Sequence, residues 1–128
     1  MIFEEINIPT VISEVTSAFN RYQEALEKND IAVLDELFWH DSRTVRFGIN
    51  ENLYGIEQIR QFRRVRLSNQ SDRILYNTII NTFGYNYAVC CTEFTQRKIE
   101  NTGRQQQTWV KMPFGWRIVA AQVSLINY

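Results

Sequence analysis

The chain is short of the residues that most catalytic signatures require. Of its 128 residues one is histidine, His40, two are cysteine, two proline and five glycine, while fourteen basic side chains cancel fourteen acidic ones. Each shortage excludes something. The scattered glycines form neither a phosphate loop nor a dinucleotide fingerprint. One histidine and the adjacent pair Cys90 and Cys91 fall short of the usual ligand sets for a transition metal, so neither metal nor organic cofactor is expected. A Cys or Ser nucleophile is disfavoured because no glycine-flanked elbow surrounds a candidate. Balanced charge leaves no overall field to draw the chain to nucleic acid or to an anionic membrane. No apolar run approaches the ~20 residues needed to cross a bilayer, and no charged leader with a cleavage site opens the sequence, so a cytoplasmic protein is expected. Neighbouring cysteines in a strand point to opposite faces and do not readily bridge, which fits a reducing compartment.

What is present is apolar and aromatic: 45% of the residues are hydrophobic and 13% aromatic. That suffices for one domain over residues 1–128, able to bury roughly two-thirds of the surface its unfolded chain exposes. From Ile8 to Leu26 the apolar positions Ile8, Val11, Ile12, Val15, Ala18, Phe19, Tyr22, Ala25 and Leu26 keep helical spacing. Pro9 suits the first turn, and Asn29 with Asp30 supplies a stop and then an N-cap for a second helix to about Phe38. A short strand is predicted at Thr44 to Phe47, a brief one at Leu53 and Tyr54, and a third helix from Ile56 to about Val65. Four strand-like runs follow: Arg73 to Phe83, Tyr85 to Gln96, Arg104 to Met112 and Trp116 to Ile126. Their separators, Gly84 with Asn86, Glu100 to Gly103 and Pro113 to Gly115, read as hairpins. Helices first and hairpins afterwards predict an α+β fold, three N-terminal helices packed on a curved, mostly antiparallel sheet.

The candidate chemistry centres on Leu34 to Gly55. Arg46, between Val45 and Phe47, offers a forked and permanently charged donor for a carboxylate; the alternative is a structural salt bridge. Tyr22 lies late on the apolar face of the first helix, where its phenol is either a core group or, near a cation, a proton donor or acceptor. His40 titrates near neutrality, but a lone histidine at a helix end is more readily a cap on the last carbonyls than a general acid or base. In the last strand, alternation sets Trp116, Ile118, Ala120, Gln122, Ser124 and Ile126 on one face. In the strand before it, Gln105, Gln107, Trp109 and Lys111 share a face. Polar atoms in an apolar row suit either a pocket for a small polar ligand or a solvated or dimer-facing surface. Arg60, Arg63, Arg64 and Arg66 form a basic cluster that reads as a solvated or salt-bridged helix face, with Arg63 close enough to Phe62 and Ile59 to reach a pocket mouth.

The two-helix opening, the segment ELFWHDSRTVRFG, the NLYG turn and the closing GRQQQTWVKMPFGWRIVAAQVSL together resemble the AtzH-like proteins, within the nuclear transport factor 2-like, SnoaL-like or cystatin-like superfamily. The resemblance spans nearly the whole chain. It implies a cone-shaped α+β roll with a cavity between helices and sheet, often paired sheet to sheet as a homodimer. It also implies a role in bacterial ureide and purine nitrogen catabolism, with an oxalurate- or allophanate-like carboxylated urea as ligand. The reaction implied is cofactor-free decarboxylation or hydrolysis; a non-catalytic accessory of an amidohydrolase is the alternative. By position, Tyr22 and Arg46 would handle the substrate, with His40, Arg63, Gln107, Trp109, Gln122 and Ser124 as further ligand contacts. Where the family usually reads AAHVS this chain has Gln122, which hydrogen-bonds but does not shuttle protons.

Overall fold

The computed structural model describes residues 3–65, 72–97 and 99–126. A 3-10 turn at Phe3–Glu5 leads into helix α1, Pro9–Lys28, with Pro9 in its first turn. Its buried stripe is Val11, Val15, Phe19, Tyr22, Ala25 and Leu26. The helix stops at Asn29, whose φ of 53° is left-handed and whose N–H reaches back to Leu26 O, and Asp30 then accepts from Val33 N to start α2, Ile31–Leu37. Strands β1, Val45–Phe47, and β2, Asn52–Tyr54, form a small hairpin closed by Gly48 N donating to Glu51 O at 2.9 Å. Helix α3 is Ile56–Val65. Arg66, the last member of the basic cluster, lies outside the described residues.

Strands β3, Ile74–Phe83, β4, Tyr87–Gln96, β5, Ile99–Met112, and β6, Gly115–Ile126, complete a six-stranded sheet in the order β2-β1-β6-β5-β4-β3. Every pair is antiparallel except β1 with β6. The α+β architecture expected from the sequence is the one observed. Helices cover one face, where Leu34, Leu37, Phe38, Ile59, Trp109 and Ile118 close the core.

Two local expectations are corrected. Glu100 to Gly103 is not a turn but part of β5, pairing with β4 and β6. Gly103 is there because a methyl at that position would fall into the Phe94 ring; the glycine permits a close approach rather than a reversal. The second correction concerns β6. Thr108 pairs with Ala120 while Trp109 pairs with Ile118, so Val119 is an extra residue, a β-bulge. Side-chain alternation is reset there. Trp116 and Ile118 face the helices before the bulge; Ala121 and Val123 face them after it, and Ala120, Gln122 and Ser124 turn to the outer face.

Candidate functional site

A cavity of ≈ 190 Å³ lies between α1, the β1–β2 loop, α3 and the inner face of β4 to β6. Each element delivers one chemical group. Tyr22 comes from the last turns of α1, where the buried stripe runs on to Leu26. Arg46, the inward residue of a three-residue strand, is 7% exposed, and its Nη1 donates to Glu51 Oε1 at 3.0 Å across the hairpin loop. Gly48 leaves room in that loop for the Glu51 carboxylate, which a methyl there would push aside. Phe62 of α3 lies under the Arg46 guanidinium at 5.4 Å. Arg73, just before β3, stacks on Phe94 with Cζ 3.7 Å from the ring centroid and donates through Nη2 to Gln105 Oε1 at 2.8 Å.

Tyr22 is therefore a buried phenol among guanidinium groups. Burial pushes its pKa up, but the charges of Arg63, Arg46 and Arg73, with a hydrogen bond from Arg63, outweigh that and leave it below the ordinary value of 10.0. Arg63 is itself 4% exposed, faces the Phe38 ring at 5.1 Å and has Asp35 Oδ1 3.8 Å from Nε. The Phe38 ring also meets Tyr22 edge-on at 6.1 Å. The arrangement stabilises anions: a carboxylate on the guanidinium side, and phenolate character on Tyr22. Among the described residues no group of three His, Cys, Asp or Glu side chains is placed to hold a metal ion.

The structure brings together Tyr22 and Arg46, with Arg63 behind Tyr22, and sets the other candidates apart. His40 bridges two helices: Nε2 donates to Asp35 O at 2.8 Å and Nδ1 accepts from Arg60 Nη2 at 3.2 Å. It lines a separate groove with Glu36, Trp39, Phe114 and Arg117. The helix-end cap expected from its position is what it makes. Asp41 and Arg43, its neighbours, pair with each other at 2.8 Å, which holds the Asp41 carboxyl at about 2. Gln107 and Trp109 face the helices but pair together, indole Nε1 donating to Gln107 Oε1 at 3.0 Å, and do not line the cavity. Gln122 and Ser124 are on the outer face, beside Asn77, Cys91 and Gln106, and Ser124 Oγ accepts from Arg104 Nε at 3.2 Å. The bulge at Val119 separates them from the cavity.

Arg73 and Glu51 are cavity residues that the sequence did not single out, and Gln105, placed on a row suited to a pocket, was not among the expected ligand contacts. Gln105 shares a β5 row with Gln107, so its inward direction was legible; Arg73 showed no signal beyond opening a strand-like run. The basic cluster of α3 is split, with Arg63 buried, Arg64 exposed and Arg60 held by Glu57 and His40.

The cavity, the helix-end histidine and the mixed sheet accompany a clear kinship. The family model for AtzH-like proteins matches residues 4–128. The chain belongs to the AtzH-like family. This AtzH-like protein is 58% identical to a protein of unknown function from Pectobacterium atrosepticum, with TM-score 0.96 and 99% of each chain covered. A cystatin-like fold protein from Burkholderia xenovorans is 44% identical over 97% of this chain and 98% of its own, with TM-score 0.94. A nuclear transport factor 2-like superfamily protein from Salmonella enterica, 28% identical over 93% of each chain, superposes with TM-score 0.71. Comparison with curated proteins returned no match.

Proposed function

We propose that this AtzH-like protein binds a small carboxylated urea, of the oxalurate or allophanate type, in the Tyr22–Arg46 cavity and catalyses its decarboxylation or hydrolysis. The observation that carries the reading is one cavity lined by the buried phenol of Tyr22 together with the buried guanidinium groups of Arg46 and Arg73. Arg46 pairs with the ligand carboxylate, exchanging part of its contact with Glu51, and Tyr22 moves the proton. In decarboxylation of an allophanate-type ligand, whose carboxylate is attached to nitrogen, that C–N bond breaks, carbon dioxide leaves, and the nitrogen that keeps the electron pair takes the phenol proton; an oxalurate-type ligand, whose carboxylate is attached to carbon, takes the hydrolytic route. In hydrolysis the phenolate takes a proton from water as its oxygen bonds to the carbonyl carbon, and returns that proton to the departing nitrogen. Either route uses the same hydroxyl, and the guanidinium groups stabilise its phenolate form while the proton is on the substrate.

A non-catalytic reading, a metabolite-binding accessory of an amidohydrolase, is favoured by two features: the lone histidine lies outside the cavity, and Gln122 faces away from it. Unbridged Cys90 and Cys91 support a reducing, cytoplasmic setting. The outer sheet face, with Ile79 58% exposed beside Cys91, Gln106 and Gln122, supports pairing of two copies sheet to sheet.

The deciding experiment incubates wild-type and Arg46→Ala protein with oxalurate, allophanate and related carboxyureas, following turnover and heat stability. Turnover or ligand stabilisation is expected for wild type and its loss, by a factor of a hundred or so on the ~3 kcal/mol scale of a buried charged contact, in Arg46→Ala. Binding without turnover establishes the accessory reading. No stabilisation by any of these compounds removes the ureido-acid site.

A further inference from the structure

We propose that Gln105 determines specificity in this cavity: its side-chain amide donates a hydrogen bond to an oxygen at the end of the ligand remote from the carboxylate held by Arg46. The inference rests on the reading of the cavity as a carboxylate site. Gln105 lines the cavity and is 4% exposed. Its Oε1 accepts from Arg73 Nη2 at 2.8 Å. A guanidinium only donates, so this contact fixes which way round the amide lies, with oxygen towards Arg73 and the NH₂ group elsewhere. That Nε2 has no hydrogen-bond partner among the described residues. A buried amide donor without an acceptor is destabilising, and in a cavity wall a ligand oxygen is what completes it.

The supporting contacts hold the amide in place before any ligand arrives. Arg73, which orients it, lies flat on the Phe94 ring, and Phe94 occupies the space left by the missing side chain of Gly103. Such an arrangement is pre-organised, so little ordering is needed on binding.

The sheet register sets the length of the ligand. Arg46 stands opposite Ala121 and Gln105 opposite Val123, so β6 lies between the two residues and Val123 floors the cavity between them. Neighbouring strands are ~4.8 Å apart and successive residues ~3.3 Å apart along a strand, so two strand spacings and the two-residue offset along β6 put the two Cα atoms roughly 12 Å apart. With the Arg46 side chain reaching in from one wall, the remaining gap fits a chain of a few heavy atoms. A carboxylate at one end and a carbonyl oxygen at the other satisfy both walls. A plain aliphatic carboxylate of the same length leaves Gln105 Nε2 unpaired.

The test compares two probes of similar length, N-carbamoylglycine, with a terminal urea carbonyl, and pentanoate, without one. Dissociation constants are measured by calorimetric titration on the full chain as wild type, Gln105→Glu and Gln105→Met. Gln105→Glu keeps an oxygen for Arg73 and removes the donor; Gln105→Met keeps only the bulk. Wild type is expected to prefer N-carbamoylglycine about tenfold, as one added hydrogen bond provides, and both variants to bring the ratio close to one. An unchanged preference in the two variants, or none in wild type, overturns the role of Gln105; the carboxylate site then still stands if Arg46→Ala abolishes binding of both probes. Failure of wild type to bind either probe overturns both readings.

Discussion

At the scale of single residues, the side chain that stands out in the sequence is not the one the fold equips for chemistry. His40 is the lone imidazole, and both its nitrogens are spent bridging α2 to Arg60. From the residues alone Tyr22 stood open between a core tyrosine and a proton-transfer group, because nothing in the spacing of α1 tells that the charges of Arg46, Arg63 and Arg73, from three other segments, act on its hydroxyl. The consequence is measurable. A phenol buried in an apolar core titrates above ~10, whereas Tyr22 is expected to titrate below it. Between its folded value and ~10 the folded chain binds fewer protons than the unfolded one, so this group makes stability rise with pH across that window. Ultraviolet titration of wild type against Tyr22→Phe isolates the phenolate transition. A difference spectrum that develops only above pH 10 removes Tyr22 as a proton-transfer group. Cys90 behaves in the opposite way: burial, with the neighbouring Cys91 adding to it, pushes its thiol up to about 12, so it is a poor nucleophile, whereas Cys91 on the outer face is partly accessible.

At the scale of elements, a glycine and an extra residue decide what faces the cavity. Read locally, Glu100 to Gly103 is a turn, since glycine after polar residues commonly marks one. Its actual reason is cross-strand, the Phe94 ring lying over Gly103, and that contact exists only once β4 and β5 are paired. Gly103→Ala is expected to cost about 1–3 kcal/mol in denaturant unfolding, the range for overpacking a tight site. Because Phe94 carries Arg73, the same substitution should also weaken ligand stabilisation. An unfolding midpoint equal to that of wild type would show that the ring moves aside freely. The bulge at Val119 is equally invisible locally. Strict alternation along β6 puts Gln122 with Ile118, and one unpaired residue reverses every side chain after it, so Gln122 and Ser124 leave the cavity and Val123 enters.

At the scale of the whole molecule, the helices protect one sheet face and leave the other open. The open face carries Ile79 beside Cys91, Glu93, Arg104, Gln106 and Gln122, a mixed surface of the kind that pairs with a copy of itself. Light scattering after size exclusion is expected to give a dimer for wild type and a monomer for the double substitution Ile79→Lys with Gln122→Lys, in which four added charges meet across a two-fold interface. A monomeric wild type at micromolar concentration removes this pairing. The cavity lies on the opposite face, so its ligand binding should survive in the monomeric variant.

The sequence by itself determined the order and type of the elements, the Asn29 and Asp30 helix boundary, and the division of Cys90 and Cys91 between two faces. These follow from periods of 3.6 and 2.0 and from capping chemistry, which act within a few residues. Only the tertiary structure decided that Arg46 points inward, which groups meet Tyr22, that Gln105 gives its oxygen to Arg73 and leaves Nε2 without a partner among the described residues, and that Gln122 is turned away. Those outcomes depend on strand register and on one bulge, which are fixed by pairing between residues far apart in the chain and leave no periodic trace in it.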